Sequence, residues 1–178
     1  MRTGGGFVRL SDKLWIGRHE LTNSEYSRFI ANMRRDKKSL RPLWPSTWEV
    51  IKGTTTRIYP SGKSGFPLRG VSFQQAEAYC RWASEDLAEK LPGLKRVRLP
   101  SEAEWMRAAR GETQRAYPWG DKWDPKRCVC KRGEQGSPLA VTAGTKLSGE
   151  TPETKLRHMA GNVAEWVLDA YSKDGYSG

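Results

Sequence analysis

Cysteine is scarce in this chain: its 178 residues hold three, and an odd number cannot form a closed disulfide framework. Histidine is scarcer, with only His19 and His158, so any Ser–His or Cys–His nucleophilic pair would have to recruit one of these two. His19 falls in a strand-like segment just before a helix cap and reads as half-buried structure. Long apolar runs are missing too. Nothing approaches the ~20 residues a membrane-spanning helix needs, and the mean hydropathy is −0.75. Met1-Arg-Thr-Gly-Gly-Gly6 has no apolar run behind it. A signal peptide is therefore not expected, and a cytoplasmic location is the simplest expectation. Acidic residues are outnumbered, 20 against 31 Lys plus Arg, which leaves a net charge of +11 and a pI near 9.8. That balance suits an acidic protein face or nucleic acid, and a basic solvated surface has the same composition.

What is present is punctuation for one mixed domain spanning 1–178. Partial alternation over residues 7–21 predicts two short strands around a Ser11-Asp12-Lys13 turn. Three helices then open on the same signal: Thr22 with Glu25, Ser72 with Gln75, and Ser101 with Glu104 each fit a capping box. The first helix, about 22–34, places Tyr26, Phe29, Ile30 and Met33 on one face. The second, about 73–90, does so with Phe73, Ala76, Tyr79, Cys80, Ala83 and Leu87. The third is short, with Trp105, Ala108 and Ala109 inward and Gly111 as its stop. The Pro-, Gly- and Thr-rich stretch 36–70 reads as an ordered surface loop, and 111–152 as a long irregular connection of the kind that often carries function. Helices among short strands and long loops indicate the α+β class. No internal repeat interrupts this order.

Several motifs resolve to little. Ser61-Gly-Lys-Ser64 looks like the end of a phosphate-binding loop, but Arg57 stands where that motif needs glycine, so it reads as a turn. Paired carboxylates occur throughout and specify no hydrolase. Cys80, on the apolar face of the second helix, reads as a buried small hydrophobe. Cys128-Val-Cys130 is different because Lys126, Arg127, Lys131 and Arg132 surround it. Positive neighbours favour thiolate and would make either sulfur reactive. A local disulfide, two inert thiols, or a metal site completed by two further ligands are the other readings.

Read together, Glu20-Leu-Thr-Asn-Ser-Glu-Tyr26, Pro67–Trp82, Arg98-Leu-Pro-Ser-Glu-Ala-Glu-Trp105, Tyr117-Pro-Trp-Gly-Asp121 and Met159-Ala-Gly-Asn-Val-Ala-Glu-Trp166 resemble the formylglycine-generating enzyme (sulfatase-modifying factor) family. The resemblance covers residues 14–31 and 67–171. It implies a modified C-type lectin-like fold with short twisted strands, two to three helices and long loops. Trp105, Trp119 and Trp166 would anchor such a loop-rich domain, each with one N–H donor.

The resemblance also implies an activity, the copper-dependent oxidation of a sulfatase cysteine to formylglycine, carried by a cysteine pair downstream of an Arg-Gly-Gly-Ser-Trp segment. None of Cys80, Cys128 and Cys130 matches that pair, so copper is not expected. Family calcium sites would map here to Gly161, Val163 and Glu165, with His158 where an oxygen donor is usual and Ala164 where Trp is usual. Weak calcium binding or none is expected. The reading that follows is a non-catalytic ligand- or protein-binding domain, as in the variable proteins of diversity-generating retroelements. The alternative is a fragment of the oxidase, and a nucleic-acid-associated accessory protein is third. The expected binding surface is the aromatic and basic set Trp44, Trp48, Arg57, Tyr59, Trp123, Lys126, Arg127, Lys131 and Arg132, the other reading being that the tryptophans pack beneath their loops. It would dock on an acidic protein or peptide, with nucleic acid as the competing partner and no membrane involved.

Overall fold

A computed structural model describes residues 4–35, 41–113, 115–130, 137–141 and 149–172. Strand β1 (Gly4–Ser11) and β2 (Leu14–His19) form an antiparallel hairpin in which Ser11 faces Leu14, so Asp12 and Lys13 make the turn. Helix α1 (Asn23–Arg35) follows, then a second small antiparallel pair, β3 (Glu49–Val50) and β4 (Arg57–Ile58). Among the described residues, helices α2 (Phe73–Ala88) and α3 (Glu102–Arg110) complete the helices and strands apart from two single 3-10 turns, Arg41–Leu43 and Pro125–Arg127. Among the described residues the architecture is α+β, and no helix is long and apolar enough to cross a membrane.

Each helix begins because its first amides are answered locally. The Thr22 hydroxyl accepts from the Glu25 N–H while the Glu25 carboxylate accepts from the Thr22 N–H. Ser72 with Gln75 and Ser101 with Glu104 repeat the exchange. Such a box satisfies donors that the helix leaves orphaned. Helix α3 ends where Gly111 takes φ +66. That conformation favours glycine, and a Cβ there would lie 2.5 Å from the Arg115 guanidinium, which would have to shift. Ser61–Ser64 is indeed a turn, closed by Lys63 N–H to Pro60 O and Phe66 N–H to Lys63 O.

Two apolar clusters result. The larger joins α1 and α2 through Tyr26, Phe29, Ala76, Tyr79, Cys80 and Ala83, with Leu21, Leu68 and Leu99 from the connections. Its rings meet edge to face: Tyr26 with Phe29 at 5.2 Å, Phe29 with Tyr79 at 5.8 Å and Tyr26 with Trp48 at 6.0 Å between centroids. Each such pair adds about 0.5–1.5 kcal/mol beyond the area it buries. The smaller cluster packs Ile16 of the hairpin on Ala108 and Ala109 of α3, with Leu156 and Met159 behind them and Trp105 at its edge. His19 is fully rather than half buried, with Nδ1 2.9 Å from the Glu20 carbonyl.

Candidate functional site

An open groove of about 420 Å³ lies between the chain that follows β2 and the segment 162–166. Glu20 and Leu21 form one side, Leu68–Val71 the approach to α2, and Asn162–Trp166 the other side. Its geometry depends on Gly161 and Asn162. Gly161 has φ +87 and bridges to Val129 so closely that a Cβ would sit 2.2 Å from the Val129 carbonyl oxygen. Asn162, at φ +60, takes a left-handed conformation that asparagine tolerates better than most residues. Its N–H donates to Val129 O at 2.9 Å, its Nδ2 to Glu20 Oε1 at 2.9 Å, and its Oδ1 accepts from Leu139 N–H at 2.8 Å. One residue thus joins three segments, through its backbone to Val129 and its side chain to Leu139 and Glu20, and holds the Glu20 carboxylate, which is 2% exposed, in place.

Trp166 closes the other end. Its indole N–H donates to Val71 O at 2.9 Å and its ring stands edge-on to Phe73 at 6.1 Å, yet it stays 46% exposed. Just beyond, Leu168 N–H donates to Pro100 O, and the Asp169 carboxylate accepts from Glu102 N–H at 2.6 Å. A carboxylate on the first turn of α3 is favourably placed against the helix dipole. Of the other two anchors, Trp119 donates to Lys122 O at 3.0 Å. Trp105, by contrast, has its indole N–H buried with no acceptor among the described residues.

The structure divides the expected binding surface. Trp48 does not belong to a free surface: it is 4% exposed, its indole N–H donates to Asn23 Oδ1 at 3.0 Å, and its ring completes the α1–α2 cluster. Trp44 and Tyr59 pack beside it, half-buried, with centroids 6.2 and 5.5 Å away. Arg57 donates to Trp48 O at 3.1 Å. Trp48 is therefore corrected to core, while Trp44, Arg57 and Tyr59 support it and stay partly exposed. Trp123 is 44% exposed and leans on Tyr117 and Trp119, with Lys126 and Arg127 exposed on the adjoining turn. Lys131 and Arg132 lie outside the described residues.

The cysteines need a correction as well. Cys80 is buried as expected, and burial pushes its thiol up to about 11. Cys128 was expected to gain thiolate character from its positive neighbours, but it is 1% exposed and burial dominates. Its pKa is raised to about 12, with the nearby Cys130 and Asp124 adding to the shift. None of the three lines the groove. Of the calcium candidates, Val163 and Glu165 line it, and Gly161 is exposed and outside its lining. Among the described residues no group of three or more His, Cys, Asp or Glu comes together. His158 is buried, with φ +57.

Sequence reasoning missed Glu20, Arg69, Val71 and Asn162 as groove residues. The Gly161-Asn162 pair, a strong turn signal, was the one local clue.

The sulfatase-modifying factor enzyme 1-like domain family matches residues 7–178. The formylglycine-generating enzyme of Thermomonospora curvata is 32% identical over 149 residues, 76% of this chain and 45% of that protein. That of Mus musculus is 33% identical over 138 residues, 68% of this chain and 34% of its own length. The inactive C-alpha-formylglycine-generating enzyme 2 of Bos taurus is 33% identical over 139 residues, 73% of this chain and 41% of its length. The chain thus spans less than half the length of these relatives.

Proposed function

Since this chain belongs to the sulfatase-modifying factor enzyme 1-like domain family and has its C-type lectin-like fold, we propose that it is a non-catalytic binding domain on that scaffold. It would take an exposed apolar side chain of a protein partner in the groove beside Trp166. The observation that carries this reading is the groove itself: an aromatic rim, an apolar wall of Leu68 and Val71, a buried carboxylate fixed by Asn162, and no cysteine among its lining residues. The oxidase requires thiolates at its centre as metal ligands and electron source, and softness selects Cys for Cu(I). The oxidase reading therefore needs a cysteine pair brought to the groove from outside the chain's own three. Relatives of equal identity include both formylglycine-generating enzymes and an inactive one, so the scaffold outlasts the activity. Diversity-generating-retroelement variable proteins would be one setting for such a domain.

The basic turn with Lys126 and Arg127 would add long-range attraction for an acidic partner, in keeping with the net charge of +11. The test has two arms. In the first, Asp/Glu-rich synthetic peptides bearing one aromatic residue are titrated against salt, with Lys-rich peptides and duplex DNA as controls. Micromolar binding of the acidic set that weakens with salt but keeps a salt-insensitive part supports the reading. A steep log–log salt slope on duplex DNA, shared by unrelated sequences, moves the function to nucleic acid. In the second arm the chain meets Cu(I), oxygen and a Cys-x-Pro-x-Arg peptide. Catalytic aldehyde by mass spectrometry overturns the non-catalytic assignment.

A further inference from the structure

Cys128 and Cys130 stand where the groove is fastened to the rest of the molecule. Cys128 is extended, at φ −145 and ψ 154, and residues two apart on an extended chain share a face. Their Sγ atoms are accordingly 3.3 Å apart, the Cys128 thiol donating to the Cys130 sulfur, and both are free. Extended neighbours at i and i+2 have Cα atoms about 6.6–6.8 Å apart, at the upper end of what a disulfide spans. The residue between them is Val129, which pairs with Gly161 and whose carbonyl accepts the Asn162 N–H that sets the groove. Burial separates the two sulfurs: Cys128 is 1% exposed and Cys130 is partly open.

We propose that Cys128 and Cys130 are a reversible thiol–disulfide site, oxidised by small-molecule disulfides, whose closure re-aims the Val129 carbonyl and so alters the groove. Cys130, the accessible sulfur, gives up its proton and attacks one sulfur of the external disulfide, forming a mixed disulfide and releasing one small thiol. Cys128 then attacks the Cys130 sulfur, its proton leaving with the second small thiol. Two protein thiols and one external disulfide become one internal disulfide and two small thiols, with atoms and electrons balanced. The buried, proton-holding Cys128 acts second because it meets no external reagent. Bringing two sulfurs from van der Waals contact to bonding distance requires torsional change at residues 128–130. Val129 cannot turn without moving its bond to Asn162, and Asn162 carries that change to Glu20 and Leu139. The site stands whether or not the groove binds a protein.

Equilibration of the folded chain with oxidised glutathione, followed by alkylation in denaturant and peptide mapping, tests the chemistry. A 128–130 internal disulfide with Cys80 still alkylated is expected. Cys128→Ser should instead trap glutathione on Cys130, and Cys130→Ser should take none while folded. Two-dimensional NMR of the Trp166 indole and the Asn162 carboxamide should show both signals shifting on oxidation and returning with reductant. Persistent free thiols at both positions, or a stable glutathione adduct on the unsubstituted chain, overturn the disulfide site. A disulfide that forms without moving either signal overturns its link to the groove.

Discussion

The loops 41–70 and 111–130 look alike in sequence, both rich in Gly, Pro, aromatic and basic residues, and the fold uses them in opposite ways. The first turns its aromatics inward: Trp48 is buried with a bonded indole N–H, and Trp44 and Tyr59 pack around it. The second stacks Tyr117 and Trp119 at 5.6 Å and leaves Trp123 on the outside beside three exposed cations, Lys122, Lys126 and Arg127. The difference comes from what each loop crosses. The first passes over the aromatic face of α1, where apolar area is waiting to be covered. The second leaves α3 beyond Ala108 and Ala109, whose apolar cluster is filled by Ile16, Leu156, Met159 and Trp105. An aromatic loop residue is core or surface according to the helix beneath it.

The sharpest break of this comparison is Trp48→Ala. Loss of the ring and of the partner to Asn23 is expected to cost about 3–5 kcal/mol in chemical denaturation. A loss under about 1 kcal/mol would mean that the first loop is no more structural than the second. Acid should separate the loops next, because the second is framed by ion pairs. Arg98 grips Glu104 through two bonds of 2.6 Å just before the loop, and Arg115, 8% exposed, ties the loop to Glu153 beyond it. The guanidinium partners lower both carboxyls, Glu104 from 4.5 to about 2 and Glu153 in the same direction. A depressed folded pKa contributes stability that is complete above the ordinary carboxylate value and is lost as pH falls toward the folded one. For Glu104 the window is pH 4.5 down to about 2. Hydrogen exchange through this window should speed up around α3 before it does around Trp48. Uniform acceleration across both regions counts against the comparison.

Glu104→Gln and Glu104→Ala refine the point. Glutamine keeps the reach back to the Ser101 N–H and loses only the ion pair, whereas alanine loses both, with an expected cost of about 1–2 kcal/mol for alanine and less for glutamine. Equal thermal shifts for the two would leave the capping box without energetic weight. Trp123→Ala should change stability by less than about 0.5 kcal/mol, while weakening the acidic peptide about tenfold or more if the ring anchors it. Unchanged affinity removes Trp123 from the interface. The smallest effect belongs to Lys126→Glu with Arg127→Glu, which should slow association several-fold at low salt and leave dissociation and melting untouched.

The three helix starts and the first hairpin were legible because their causes are local. A hydroxyl and a carboxylate or amide three residues apart need no knowledge of the rest of the chain, and Thr22, Ser72 and Ser101 all behave accordingly. The site was not local. Glu20 meets Asn162 across 142 positions, and Trp166 meets Val71 across 95. Nothing in either residue's neighbourhood announces the other. Burial misled for the same reason: the charges flanking Cys128 are visible in sequence, whereas the desolvation that outweighs them is made by the fold.

The stretch 166–169 touches both remaining helices at their beginnings, through Trp166 on Val71 and Phe73 and through Leu168 and Asp169 on Pro100 and Glu102. Joined to both helix starts in this way, the stretch is expected to open as one unit, at a free energy below that of global unfolding. When it lifts, the groove loses one of its sides and the first amide of α3 loses its acceptor at the same moment. Ligand affinity is then the intrinsic value reduced by the fraction of molecules in which the stretch is seated. A ligand that seats it should slow exchange of the Glu102 and Leu168 amides by one common factor, so that the start of a helix away from the groove reports on occupancy.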